Sequence, residues 1–276
     1  MTLTVPGRPQ LMGILNVTPD SFSDGGRHFE PAAAVAQGLR MAAEGADIID
    51  IGGESTRPGA ARVNSADQLQ RVMPVLRELR RQLPAGCRLS IDTTLAEVAA
   101  AALAAGASII NDVSAGRDDP ALFGLVRNSG ADLVLMHMQG TPLSMQTAPH
   151  YEDVVREVRE FLLDRAAAAE AAGVPRDRIA IDPGIGFGKT KLHNLQLLAG
   201  LKTMVKTGYP VLLGASRKRF MGSICSVDEF HELVGATCAT TALGVLAGVR
   251  LFRVHDIRDN RQALDVAWAL REQMQN

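Results

Sequence analysis

Eight short apolar runs recur along the chain, each closing on a polar or charged residue. Residues 11–15 close on Asn16, and 47–52 lead to Glu54, Ser55 and Thr56. Residues 88–91 close on Asp92, 108–110 on Asn111 and Asp112, and 132–136 on His137. Residues 179–181 close on Asp182, 210–215 on Ser216, Arg217 and Lys218, and 251–254 on His255 and Asp256. Uninterrupted apolar runs of this length suit strands buried on both faces. Between and after them lie helix-like segments at 32–44, 66–83, 95–105, 120–129, 151–172, 193–206, 230–247 and 260–273. These are rich in Ala, Leu and long charged residues, with apolar positions at helical spacing. Gly45, Gly106, Gly130, Gly173, Gly208 and Gly248 stand where helix C-terminal caps are expected. Eight strand–helix units predict an α/β fold, a single-domain (β/α)8 TIM barrel over residues 1–276. A doubly wound sheet is the competing arrangement. It more often carries GxGxxG after its first strand, and none follows Asn16.

Composition narrows the function classes. The 276 residues are 46% apolar but only 4% aromatic, so Ala, Leu, Val and Ile must fill the core. A net charge of -1 gives no field that would draw the chain to nucleic acid or a membrane surface. No apolar run approaches membrane-spanning length, and residues 1–10 lack the apolar segment of a signal peptide. Cys87, Cys225 and Cys238 are odd in number and without CxxC spacing. They read as reduced thiols of a cytoplasmic protein, and structural zinc is not expected.

In a barrel, the polar strand ends converge on one rim, where such folds keep their active sites. Two connections on that side, 17–31 after the first strand and 53–65 after the second, are long and glycine-bearing, and are expected to be functional or mobile. Asp182, followed by Pro183 and three glycines before Lys189, would lie at the floor of the cleft. A carboxylate there can accept two hydrogen bonds from an N–C–N edge. Asn111 and Lys218 can read a polar heterocycle alongside it, while Arg253, His255 and Asn16 can hold an anion. Asp92 is a further carboxylate able to anchor the ligand or stabilise positive charge. Each has a plainer reading too: Asp182, Asn111 and Asp112 as helix caps, His137 and Met138 as core, Arg253 and Lys218 as rim ion pairs.

The stretches 13–26, 52–59, 109–112, 135–140, 182–189, 216–218 and 253–256 together resemble dihydropteroate synthase, a pterin-binding barrel family. The resemblance runs in order from residue 11 to about 265. It implies condensation of 6-hydroxymethyl-7,8-dihydropterin diphosphate with 4-aminobenzoate, releasing diphosphate and 7,8-dihydropteroate. It further implies that Asp182 and Asn111 hold the pterin edge, helped by Asp92 and Lys218, with Met136 and Phe187 packing on the ring. Asn16, Arg253 and His255 would hold the diphosphate, with Mg²⁺ near Asn16. Phe22, Thr56, Arg57, Pro58 and Ser216 would surround aminobenzoate. Asp92, Asp182 and Lys218 would act in the chemistry, and the resemblance suggests a homodimer and sensitivity to sulfonamides. Two departures from the family pattern, Leu95 after Thr94 and Glu232 to Val234 before Gly235, fall outside this set. Two other classes share parts of the pattern: corrinoid methyltransferases that bind methyltetrahydrofolate, and a non-catalytic pterin-binding paralogue.

Overall fold

The structure, a computed structural model, describes residues 7–18 and 31–275. Among the described residues the apolar runs form eight strands: β1 (Gln10–Asn16), β2 (Ile48–Gly52), β3 (Arg88–Asp92), β4 (Ile109–Asp112), β5 (Asp132–Met136), β6 (Ile179–Asp182), β7 (Leu212–Leu213) and β8 (Leu251–Val254). All neighbours pair in parallel, in the order β6-β5-β4-β3-β2-β1-β8-β7. A bridge between Ile181 and Val211 closes β6 onto β7, completing the barrel.

The helices on its outside are α1 (Pro31–Ala43), α2 (Ser65–Gln82), α3 (Ala96–Ala104), α4 (Leu122–Ser129), α5 (Val154–Ala171), α6 (Lys191–Ala199), α7 (Leu201–Val205), α8 (Arg219–Cys225), α9 (Val234–Ala247) and α10 (Ile257–Gln275). All six glycines expected to end helices have positive φ, the conformation that lets a helix stop and its last carbonyls find donors. Asn64 caps α2 and Asp153 caps α5 through their side chains.

Three expectations change. The helix read over 193–206 is two helices broken at Gly200, where a Cβ would lie 2.9 Å from Val155 of α5. Close helix packing, not the local pattern, therefore decides that break. The seventh strand shortens from 210–215 to Leu212–Leu213, because Pro210 has no N–H for the ladder. Its carbonyl still accepts from Ile181 at 2.9 Å. The helix expected over 230–247 begins only at Val234, because 230–232 form a 3₁₀ turn, and the seven-residue α8 follows Lys218. Of the two long connections, residues 53–64 are described, and 19–30 lie outside the described residues.

The main core lies between sheet and helices, with Leu11, Ile49, Ile51, Leu76, Leu79 and Phe252 buried there. A second cluster, Met12, Ile48, Ile109, Val134, Ala180, Leu212 and Leu251, fills the barrel interior.

Candidate active site

Side chains on one face of a strand recur every second residue. Two positions beyond the interior cluster, on the same face of their strands, stand Ile14, Asp50, Asn111, Met136, Asp182 and Arg253, with Gly214 just past the end of β7. An apolar plug thus carries a polar layer directly on its carboxyl side. Register sets Gly52, Asp92 and Asn111 side by side across β2, β3 and β4, and Met136 beside Asp182. Gly214 leaves room here, since a Cβ would touch Asp182 at 3.6 Å and Arg253 at 3.9 Å.

Charges in this layer are tightly paired. Arg253 donates from Nε to Asp50 Oδ2 and from Nη2 to Asp92 Oδ2, each at 2.7 Å. Asn111 Nδ2 donates to the same Asp50 oxygen at 2.9 Å. Asp182 Oδ1 accepts from the Gly184 N–H at 2.7 Å. Burial raises the Asp92 carboxyl to about 7, Arg253 opposing and Asp50 adding like charge. Burial also lifts Asp182 to about 6, against the pull of the Gly184 N–H, Lys218 and Arg253. Lys218, at the start of α8, falls to about 8 through burial and the charge of Arg253, Asp182 opposing. Carboxylates held this close to neutral suit a site that exchanges its own charge pairing for a ligand's.

His255 is neutral, lowered to about 3 by burial and by the charges of Arg217 and Arg253. Ser216 Oγ accepts from the His255 backbone N–H at 3.2 Å and lies 3.0 Å from Nδ1. In the tautomer where the Ser216 hydroxyl donates to Nδ1, the His255 ring proton is on Nε2 and can be given to an anion. Ser216, expected beside aminobenzoate, is buried against His255 in this state.

One wall is apolar. Val113, Met136, Met138 and Met145 cluster with Phe187 packed against them, and Lys218 Nζ lies 4.0 Å from the centre of the Phe187 ring. Across the mouth, Thr56 lines a cavity with Glu54, Arg62, Asp92, Thr93 and Met138. Arg57 and Pro58 are exposed on the same loop, whose Gly59 N–H donates to the Pro142 carbonyl at 3.0 Å. Asn16 ends β1 half-buried, and Phe22 lies outside the described residues.

Residues 12–255 match the family described as pterin binding enzyme. Over 266 residues the chain is 50% identical to the dihydropteroate synthase of Mycobacterium leprae, spanning 94% of this chain and 93% of that one. The chain belongs to the dihydropteroate synthase family. Within that family, the solved Xanthomonas albilineans enzyme with 4-aminobenzoic acid is 49% identical, with a TM-score of 0.89 over 95% of this chain and 93% of its own. The Yersinia pestis dihydropteroate synthase with a sulfonamide drug complex is 40% identical, with a TM-score of 0.91 over 99% of this chain and 100% of its own.

One member of the polar layer, Asp50, has no counterpart among the residues expected from the sequence. Asp50 is fully buried and holds both Arg253 and Asn111, and its Oδ1 has no partner among the described residues. Its signal was a lone carboxylate on the inward face of an otherwise apolar strand. Glu54 was likewise given no role. It accepts from Gln68 of α2 at 2.7 Å, and Gln68 in turn accepts from Thr93 at 2.9 Å, tying the β2 loop to the rim.

Proposed function

We infer that the protein is an enzyme joining 6-hydroxymethyl-7,8-dihydropterin diphosphate to 4-aminobenzoate. The observation that carries this reading is the polar layer on the apolar plug, with Asp182 of β6, Asn111 of β4, Asp92 of β3 and Arg253 of β8 all at the carboxyl side of the barrel. Asp182 and Asn111 take the pterin's hydrogen-bonding edge, Lys218 and Asp92 assist, and Met136 and Phe187 face its ring. Arg253 and the Nε2–H of His255 hold the diphosphate. A corrinoid methyltransferase would need no such anion pair.

The C–O bond to diphosphate breaks with its electron pair leaving on oxygen. The positive charge left on the methylene spreads into the pterin ring, and the buried Asp92 and Asp182 carboxylates stabilise it. Aminobenzoate's amine is neutral at pH 7, so it attacks without a strong general base. The new C–N bond forms, and the ammonium proton leaves to solvent or diphosphate. Exclusion of water keeps the cation for the amine. Thr56, Arg57 and Pro58 approach aminobenzoate from the β2 loop, with Ser216 from the end of β7.

Magnesium fits this site through few protein ligands. Asn16 is half-buried at the carboxyl end of β1, on the rim. No cluster of three or more His, Cys, Asp or Glu side chains able to hold a metal occurs among the described residues. A hard cation held by one protein oxygen, water and substrate phosphates matches that donor set. When bound, it would neutralise charge on the leaving diphosphate.

The reading extends to a cytoplasmic homodimer. Its three cysteines are free, no helix among the described residues is long and apolar enough to cross a membrane, and α9 and α10 expose Leu243, Val266 and Leu270 for a second copy to cover.

Turnover of the two substrates to dihydropteroate tests the activity directly. Sulfamethoxazole, an aniline with a sulfonyl group in place of the carboxylate, is expected to raise the apparent KM for aminobenzoate and leave kcat unchanged. Inhibition that persists at high aminobenzoate would rule out a shared pocket. Pterin binding also has a pH signature. The ligand's donor edge prefers ionised Asp182, which is raised to about 6 in the free protein. Below that pH the carboxyl must shed its proton to bind, so affinity is expected to rise from pH 5 to pH 8 with proton release near pH 6. Calorimetry at pH 6 in two buffers of different ionisation enthalpy measures that release, and identical heats would refute it.

A further inference from the structure

Lys189 closes the glycine turn after β6 and is buried, with 3% of its surface exposed. Its ammonium meets the His137 Nδ1 at 2.9 Å, the Phe187 carbonyl at 2.9 Å and the His137 carbonyl at 3.4 Å. An ammonium has three donors and no acceptor, so these contacts use it fully and require the His137 ring proton on Nε2. His137 suits that role, because burial and the charges of Lys189 and Arg117 lower it to about 2 and keep the ring neutral. No carboxylate lies within ion-pair distance of Lys189 among the described residues. Burial pushes its own pKa down to about 7, Asp182 opposing.

A buried lysine without a paired carboxylate is a costly way to stabilise a fold, and an apolar residue of its size would serve stability better. What this ammonium joins is specific. His137 follows Met136 at the end of β5, and Phe187 lies on the turn after β6. These are the two sides of the apolar wall. The turn is pressed against β5's extension: a side chain at Gly184 would run into the His137 carbonyl, and Tyr151 donates to the Gly188 carbonyl at 2.8 Å.

We propose that Lys189 is a positioning residue for pterin recognition, tying the Phe187 carbonyl to the end of β5 so that the Phe187 ring stays against Met136 and beneath the Lys218 ammonium. This rests on reading the site as a pterin pocket. The substrate stacks on a ring whose place is set by Lys189, while Lys189 itself makes no contact with the ligand.

The test is a double-mutant cycle read by fluorescence quenching of 6-hydroxymethylpterin. Lys189→Met is expected to weaken pterin binding by about 10- to 100-fold, the loss of charged hydrogen bonds. It should do so with little further loss in a Phe187→Leu background, since the lysine acts through that ring. In turnover, the KM for the pterin diphosphate should rise more than kcat falls. Should Lys189→Met fail to fold, His137→Phe takes the Nδ1 acceptor from Lys189, leaves it both backbone carbonyls and keeps a ring against Phe161. It is expected to give a smaller loss in the same direction, again absent in the Phe187→Leu background. Unchanged pterin affinity, or equal losses in both backgrounds, would overturn the proposal. A wild-type protein that binds no pterin would instead remove the site reading on which it rests.

Discussion

Asp182→Asn is expected to lose pterin binding while keeping the fold. The Gly184 N–H, 2.7 Å from Oδ1, demands an acceptor on that side. An asparagine can meet it only by turning its amide oxygen toward Gly184, which aims its NH₂ at the ligand. The donor edge of the pterin then faces a donor. One favourable bond is lost and one unpaired contact is created, a cost on the order of 3–4 kcal/mol, or several-hundred-fold in Kd. Stability should hold or rise, because the substitution removes a carboxyl that burial already pushes toward neutrality. Calorimetry with a pterin ligand and thermal denaturation by circular dichroism decide it. Wild-type affinity would take Asp182 out of the binding site, and collapse of the fold would make its role structural.

Arg253→Ala is expected to do two things at once. The guanidinium bridges Asp50, fully buried, and Asp92, 8% exposed. Removing it leaves two buried carboxylates without a counter-charge, worth about 3–5 kcal/mol and a fall in Tm on the order of 10 °C. That fall should shrink as the pH is lowered. Asp92 is raised in the folded protein, so the folded state binds the proton more tightly than the unfolded state between about 4 and 7. Protonation there relieves the variant. The same change should weaken diphosphate binding more than binding of an unphosphorylated pterin. A Tm that does not move would show that Asp50 and Asp92 do not depend on this arginine. Equal losses for both ligands would leave it no anion-binding role.

The contrast between these residues shows what the sequence could reveal. Asp182, Asn111 and Asp92 were legible because each ends an apolar run, where a buried strand meets the rim. Asp50 was not, because it sits inside such a run and its partner Arg253 is 203 residues away. Only closure of the barrel brings them together. The pairing of Lys189 with His137, 52 residues apart, is hidden for the same reason. Local pattern also overestimated β7 and bridged Gly200, since both depend on contacts with neighbours that no window of sequence contains. The contact of Ser216 with the His255 ring, 39 residues on, is hidden in the same way.

The brevity of β7 has a further consequence for motion. The barrel is closed on one side by two residues of ladder and on the other by a bridge at Ile181 and Val211. Backbone amides there sit in a shorter ladder than those of β2 and β3, so hydrogen exchange at 211–213 should report opening of a seam and outpace exchange in those strands. Asp182 and Lys218 stand on opposite banks of that seam. A ligand gripped by both would act as a bolt across it, and slowed exchange at these amides would register binding from the scaffold's side.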